Sequence, residues 1–147
     1  MQTGGFKFLG SGQQLLNNTF VGNLVEAIFL AIANDKVVGE LFNITDPRLV
    51  SRREFIGTIC ENAGIPTPSK CVPLPVAKAL ANVLEAVYRM LGKQEAPLLS
   101  SARIKFLGLN LDYSIEKAKR ELGYSPAADF ADAMRTTMAW CREAGLT

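Results

Sequence analysis

The stretch Asn18-Thr-Phe-Val-Gly-Asn-Leu-Val-Glu-Ala-Ile-Phe-Leu-Ala-Ile-Ala33 decides how the rest of the chain is read. Asn18 to Phe20 form a short extended lead-in to a helix whose polar interior positions are Asn23 and Glu26. Leu24, Val25, Ala27, Ile28, Phe29, Leu30, Ala31, Ile32 and Ala33 leave almost no face for water. A helix apolar all round is buried on most sides. Either the remainder of the chain supplies that cover, or a further segment does.

Upstream, Phe6 to Leu9 alternates as a short strand and ends at the turn signal Gly10-Ser-Gly12. Downstream, Gly39 marks a turn, and Leu41-Phe-Asn-Ile-Thr45 reads as a mostly apolar strand stopped by Asp46-Pro47. Strand, helix and buried strand together are half of a parallel βαβ unit. One such strand cannot make a sheet alone.

The rest reads as mainly helical. Ser51 caps a helix running to about Asn62, with Glu54 completing a capping box and Gly64 ending it. Lys70 to Val72 is a minor strand, and Pro75 opens a helix from Val76 to Leu91. On that helix Leu80, Val83, Leu84, Val87 and Leu91 line the expected packing face. A membrane span wants about 20 uninterrupted apolar residues, so a surface helix packed on a core is the better reading, with membrane-surface contact left open. Further elements are a helix from Ser100 to Leu107, a strand from Asn110 to Tyr113, a Ser114-capped helix from Ile115 to Leu122 and a helix from Phe130 to about Glu143. Trp140 is expected at the edge of the core.

The 147 residues allow one domain with a core. A hydrophobic share of 48% with 20% charged residues is globular, and a net charge of +2 without a basic stripe argues against a nucleic-acid surface. Cys60, Cys71 and Cys141 are odd in number and widely spaced, which suits free thiols in a reducing, cytoplasmic compartment. The chain has no histidine, which removes Ser-His-Asp and Cys-His nucleophile systems and most histidine metal sites. No metal site is expected.

Two motifs resemble known chemistry. Gly10-Ser-Gly12 follows a strand as a dinucleotide loop does, but Leu15 stands at the third glycine position and Asn17 to Phe20 do not continue as a helix. That loop needs a helix N-terminus to hold the pyrophosphate, so a plain turn is the better reading. Tyr113-Ser-Ile-Glu-Lys117 matches a Tyr-x-x-x-Lys pair, whose proton transfer needs both side chains on one helical face. Ser114 as a cap places Tyr113 ahead of the helix. No residue of this chain is assigned a catalytic or cofactor-binding role.

Taken with Phe42-Asn-Ile-Thr-Asp46, Val72-Pro-Leu-Pro75 and Tyr113-Ser-Ile-Glu-Lys-Ala-Lys-Arg-Glu-Leu-Gly-Tyr-Ser-Pro126, the glycine turn and the opening stretch resemble the C-terminal half of an extended short-chain dehydrogenase/reductase. The branch most resembled is that of the 3β-hydroxysteroid dehydrogenases, within the epimerase/dehydratase superfamily. The resemblance implies an α/β fold, the C-terminal part of a Rossmann-type protein. Residues 1–48 would be the tail of the NAD(P)-binding sheet, and residues 49–147 a mainly helical substrate-binding lobe.

By that resemblance the full-length protein is an NAD(P)-dependent oxidoreductase acting on a CH–OH/C=O group of a steroid-like or other small hydroxy substrate. A nucleotide-sugar epimerase/dehydratase and a non-catalytic binding or interaction domain are the alternatives. The glycine-rich loop and the catalytic Tyr-x-x-x-Lys belong to the N-terminal half, so this chain alone is expected to be inactive and to bind neither NAD nor NADP. Asn18, Thr19 and Phe20 would lie near the substrate, and Arg103 could reach it. Local backbone bonding by Asn18 and Thr19, and a surface position for Arg103, are the competing readings. The expected partners are a small-molecule substrate and the N-terminal Rossmann half, with self-association through an exposed apolar patch and a possible homo-oligomer.

Overall fold

The computed structural model describes residues 6–146. Its elements in chain order are β1 (Phe8–Leu9), β2 (Leu15–Leu16), α1 (Val21–Ile32), a 3-10 turn (Asp35–Val37), β3 (Val50–Ser51), α2 (Arg52–Ala63), β4 (Cys71–Val72), α3 (Leu74–Met90), α4 (Ser101–Gly108), α5 (Glu116–Leu122) and α6 (Phe130–Glu143). β1 pairs in parallel with β4, Phe8 opposite Cys71 and Leu9 opposite Val72. β2 pairs antiparallel with β3, Leu15 opposite Ser51 and Leu16 opposite Val50.

Helix ends follow the local chemistry. Ser51 accepts from Glu54 N at 3.0 Å, and Gly64 closes α2 at φ 65°. The capping box is half formed, because the Glu54 carboxylate pairs with Arg48 at 2.8 Å. Ser100 caps α4 by accepting from Arg103 N. Gly123 closes α5 at φ 69°, a left-handed conformation in which a side chain would be strained.

The described core is divided into three small clusters. α1 packs Ala27 against Ile115, Ala118, Leu122 and Tyr124. Val50 packs on Phe130, Met134 and Met138 of α6, with Phe55 and Ile59 of α2 beside them. Ala77 and Ala81 of α3 meet Ile104 of α4.

Several expectations fail for tertiary reasons. Leu41 to Thr45 forms no strand, since no neighbouring segment among the described residues offers it a ladder. Asn110 to Tyr113 is no strand either. It runs beside β2 through one backbone bond, Leu111 N to Leu15 O at 3.0 Å, and two asparagine side chains replace the others. Asn110 Oδ1 accepts from Leu15 N, and Asn17 Oδ1 from Tyr113 N. Ile115, not Ser114, is the N-cap of α5, although the Ser114 hydroxyl accepts from Glu116 N at 3.3 Å.

α3 packs through Ala77 and Ala81, while the larger Leu80, Val83, Val87 and Leu91 face outward. Alanines let two helices approach closely, and the apolar residues beside them are left outside. Trp140 is 60% exposed, because α6 turns Met134 and Met138 inward. α1 is likewise covered on one face alone. Asn23 and Ala27 are buried, whereas Phe29 is 67% and Ile32 73% exposed, with Val21, Leu24, Val25 and Ile28 beside them.

Candidate functional site

The lead-in to α1 is fixed by a polar latch. Asp46 is buried, and its Oδ1 accepts from Phe20 N at 2.9 Å and from Asn23 Nδ2 at 2.7 Å. Its own N–H donates to Asn18 O at 2.8 Å. The carboxylate satisfies the backbone N–H of Phe20, the N-cap residue of α1, and suits the positive end of the helix dipole. Asn23 extends the latch: its Oδ1 accepts from Ala128 N at 3.3 Å, and its Nδ2 reaches Ala128 O at 3.5 Å. The connection into α6 is thereby tied to α1.

Tyr124 lies beneath this latch. It is fully buried and its hydroxyl donates to Thr45 O at 3.0 Å. Burial first, then the carboxylates of Asp46 and Glu26, push its hydroxyl up to about 12. Neither Asn23, Asp46 nor Tyr124 was among the residues picked out from sequence. The available signal was Asn23, with Glu26 one of two polar side chains in an apolar helix, since a polar side chain buried there needs a partner.

Asn18, Thr19 and Phe20 lie together on the lead-in. The Thr19 hydroxyl donates to Ile44 O at 3.1 Å, and the Phe20 N–H is held by Asp46. Asn18 Nδ2 is buried and has no partner among the described residues. Arg103 belongs to a different block. It sits on α4, its Nη1 donates to Leu98 O at 2.9 Å, and no hydrogen bond among the described residues joins it to residues 18–20.

The glycine turn was tested as a dinucleotide cradle by its packing. Gly10 and Gly12 have φ of 65° and 74°, and the chain continues into β2, not into a helix. A Cβ on Gly12 would stand 3.0 Å from the Phe8 ring. The Arg53 guanidinium donates to Ser11 O at 3.1 and 3.3 Å and lies over that ring at 4.7 Å. A turn filled by Phe8 and bridged by Arg53 does not fit a pyrophosphate.

Tyr113 precedes α5 and is 55% exposed. Lys117 donates to Glu40 at 2.6 Å and to Leu41 O at 3.1 Å, and lies over the Phe42 ring. That hydrogen bond holds Glu40 below the usual carboxylate range. The lysine is thus engaged with the segment after α1 and not with Tyr113. No group of three or more metal-ligating side chains occurs among the described residues, and the three cysteines are free.

Among the described residues no helix is long and apolar enough to cross a membrane. A cleft of about 460 Å³ lies between α3 and α4, lined by Leu74, Lys78, Asn82, Ser101, Ile104 and Lys105 among others.

No family model matches the chain. It is 28% identical over 148 residues to 3beta-hydroxysteroid-dehydrogenase/decarboxylase isoform 1 of Arabidopsis thaliana, covering 93% of this chain and 34% of that protein. It is 34% identical over 133 residues to the human short-chain dehydrogenase/reductase family 42E member 1, covering 84% of this chain and 34% of that protein. A 2-alkyl-3-oxoalkanoate reductase of Shewanella oneidensis is 28% identical over 92% of this chain and 36% of its own length. The chain therefore spans about a third of the length of these relatives.

Among solved structures, gox2253 superposes with a TM-score of 0.72 at 25% identity, covering 91% of this chain and 39% of that one. A UDP-glucuronic acid 4-epimerase from Bacillus cereus, solved with NAD, shares the fold at a TM-score of 0.59 and 15% identity. It covers 93% of this chain and 32% of its own. From these matches, the chain belongs to the extended short-chain dehydrogenases/reductases, on their 3β-hydroxysteroid dehydrogenase-like branch, and corresponds to their C-terminal part.

Proposed function

We propose that the chain is the substrate-binding lobe of an NAD(P)-dependent oxidoreductase that moves a hydride between the nicotinamide and a hydroxyl or keto carbon. The substrate on this reading is steroid-like or another small hydroxy compound. The observation that carries it is the match, over most of the chain, to dehydrogenases and reductases about three times as long. Residues 1–48 then belong with the dinucleotide-binding sheet, and residues 49–147 form the substrate lobe. The bare face of α1 and the unpaired Leu41–Thr45 segment are where the dinucleotide-binding half packs.

Asn18, Thr19 and Phe20 face the substrate on this reading. Support comes from Asn18 Nδ2, a buried donor without a partner, which costs about 1–3 kcal/mol unless something supplies an acceptor. A substrate oxygen can do so. Arg103 contributes from α4, where one guanidinium nitrogen is spent on Leu98 O and the side chain stays exposed.

The chain alone is inactive, because its glycine turn does not fit a pyrophosphate and its Tyr113 and Lys117 do not act together. The test compares this chain with the protein translated from its gene with any upstream coding sequence. The longer protein is expected to reduce a keto steroid or a 3-oxoalkanoate with NADH or NADPH, and Asn18→Ala in it to raise KM. The 147-residue chain should show neither turnover nor NAD(P) binding by calorimetry. Micromolar NAD binding by this chain would defeat the assignment of the glycine turn. Epimerisation of a UDP-sugar by the longer protein, without keto reduction, would replace the oxidoreductase reading.

A further inference from the structure

α3 and α4 meet at Ala77, Ala81 and Ile104, and beside that contact they stand apart. The cleft between them holds about 460 Å³, within the size range of small-ligand sites. Its α3 wall is Leu74, Lys78 and Asn82, which recur every four residues and so share one face. Its α4 wall is Ser101, Ile104, Lys105 and Gly108, again one face. The exposed Leu80 and Val87 lie on the opposite side of α3 and take no part. Gly108 keeps the floor open, since a Cβ there would stand 3.6 Å from Leu74 Cδ2.

Charge decides what the cleft accepts. Lys78 and Lys105 line it from opposite helices, and neither makes an ion pair among the described residues. Two ammonium groups sharing a cleft repel each other, and an anion between them offsets that repulsion. The nearby acceptors are already engaged. Asn82 Oδ1 and Glu85 Oε2 each lie 3.0 Å from the Ser101 hydroxyl, and Glu85 Oε1 accepts from Ser101 N at 2.6 Å. Glu85 is the one carboxylate on the two helices, and the helix rise sets it about 10 Å along α3 from Lys78. A cationic head would therefore meet two cations, whereas an anionic head meets two partners.

The apolar part of the lining is aliphatic. Leu74, Ile104 and Leu109 supply it, and no aromatic ring lines the cleft for a flat ring to stack on.

We infer that the α3–α4 cleft binds a free aliphatic carboxylate, its carboxyl group between Lys78 and Lys105 and its chain along Leu74, Ile104 and Leu109. The inference concerns these two helices and does not depend on the oxidoreductase reading.

The test is calorimetric titration of the 147-residue chain with monomeric decanoate, with acetate and decanol as controls. Decanoate should bind at one site, and the controls roughly tenfold or more weakly, because acetate lacks the chain and decanol the charge. Added salt should weaken the binding. K78Q/K105Q removes the two cations and G108L fills the cleft, and each should lower the affinity roughly tenfold. Lys78 and Lys105 are exposed, and Gly108 has no positive φ, so both variants suit the fold. Circular dichroism checks that they keep it, and K78Q/K105Q serves if G108L disturbs the packing. L80Q/V87Q on the outer side of α3 and F29Q/I32Q on α1 should bind as the parent does. No saturable binding, equal affinity for decanol, binding unchanged in the cleft variants, or binding abolished by L80Q/V87Q or F29Q/I32Q would overturn the proposal.

Discussion

Asn23 Nδ2 donates to Asp46 Oδ1 across 2.7 Å, so the start of α1 is held by a carboxylate that arrives 23 residues later. The pair sets the direction in which α1 leaves the lead-in, and therefore where residues 18–20 point. Removing the carboxylate strands Phe20 N–H and Asn23 Nδ2 in a buried place. Asp46→Ala should cost about 3 kcal/mol in urea unfolding, given hydrogen bonds to a charged group. Asp46→Asn keeps one acceptor and should recover part of that loss. Equal stability of D46A and the parent would mean the latch is ornamental.

Tyr124 gives the fold an alkaline limit. Its hydroxyl is raised from 10.0 to about 12, first by burial and then by Asp46 and Glu26. The folded state thus favours the neutral phenol. The associated stability is complete below pH 10 and is lost as pH rises through about 12. Absorbance titration should show one of the three tyrosines ionising late, together with unfolding. In Tyr124→Phe that late phase should vanish, and loss of the bond to Thr45 O should cost about 1 kcal/mol at neutral pH.

The exposed side of α1 should make this chain sticky. Phe29 and Ile32 can be replaced without disturbing Asn23 or Ala27, which lie on the covered face. Phe29→Asp with Ile32→Lys should lower hydrophobic-dye fluorescence and self-association while shifting unfolding by less than about 1 kcal/mol. A parent chain that is monomeric and dye-silent would show that the face is covered in some other way.

Arg53 clamps the glycine turn from α2. Its guanidinium spans Ser11 O and the Phe8 ring, a combination of planar donor and cation–π contact that lysine cannot reproduce. Arg53→Ala should destabilise by about 1–2 kcal/mol and speed amide exchange in the β1–β2 connection. Arg53→Lys should behave almost as badly. Full rescue by lysine would reduce the clamp to a point charge.

Helix ends were legible where one residue decides them. Ser51, Gly64, Ser100 and Gly123 act locally, and α2, α4, α5 and α6 lie within a residue or two of their expected spans. What failed depended on a partner elsewhere in the chain. Leu41 to Thr45 has strand composition, but composition cannot supply a neighbour. The packing face of α3 was assigned to its larger side chains, yet helix contact was made by Ala77 and Ala81. The Asn23–Asp46–Tyr124 arrangement joins positions that no local pattern relates, so of the site only the lead-in at Asn18 to Phe20 could be picked out beforehand.

The division of the interior into three small clusters also has a consequence for how the chain comes apart. Each cluster holds few buried side chains, and the clusters are joined through hydrogen bonds such as the Asn23–Ala128 pair, Leu111 N to Leu15 O, and Arg53 to Ser11 O, not through a shared apolar core. Cooperative melting needs each part to lose its support when another opens. Here the α3–α4 pair can open while Val50, Phe130 and Met138 stay packed. Heating should therefore give a broad, stepped transition, with amide protection falling first in α3 and α4 and last around Val50 and α6.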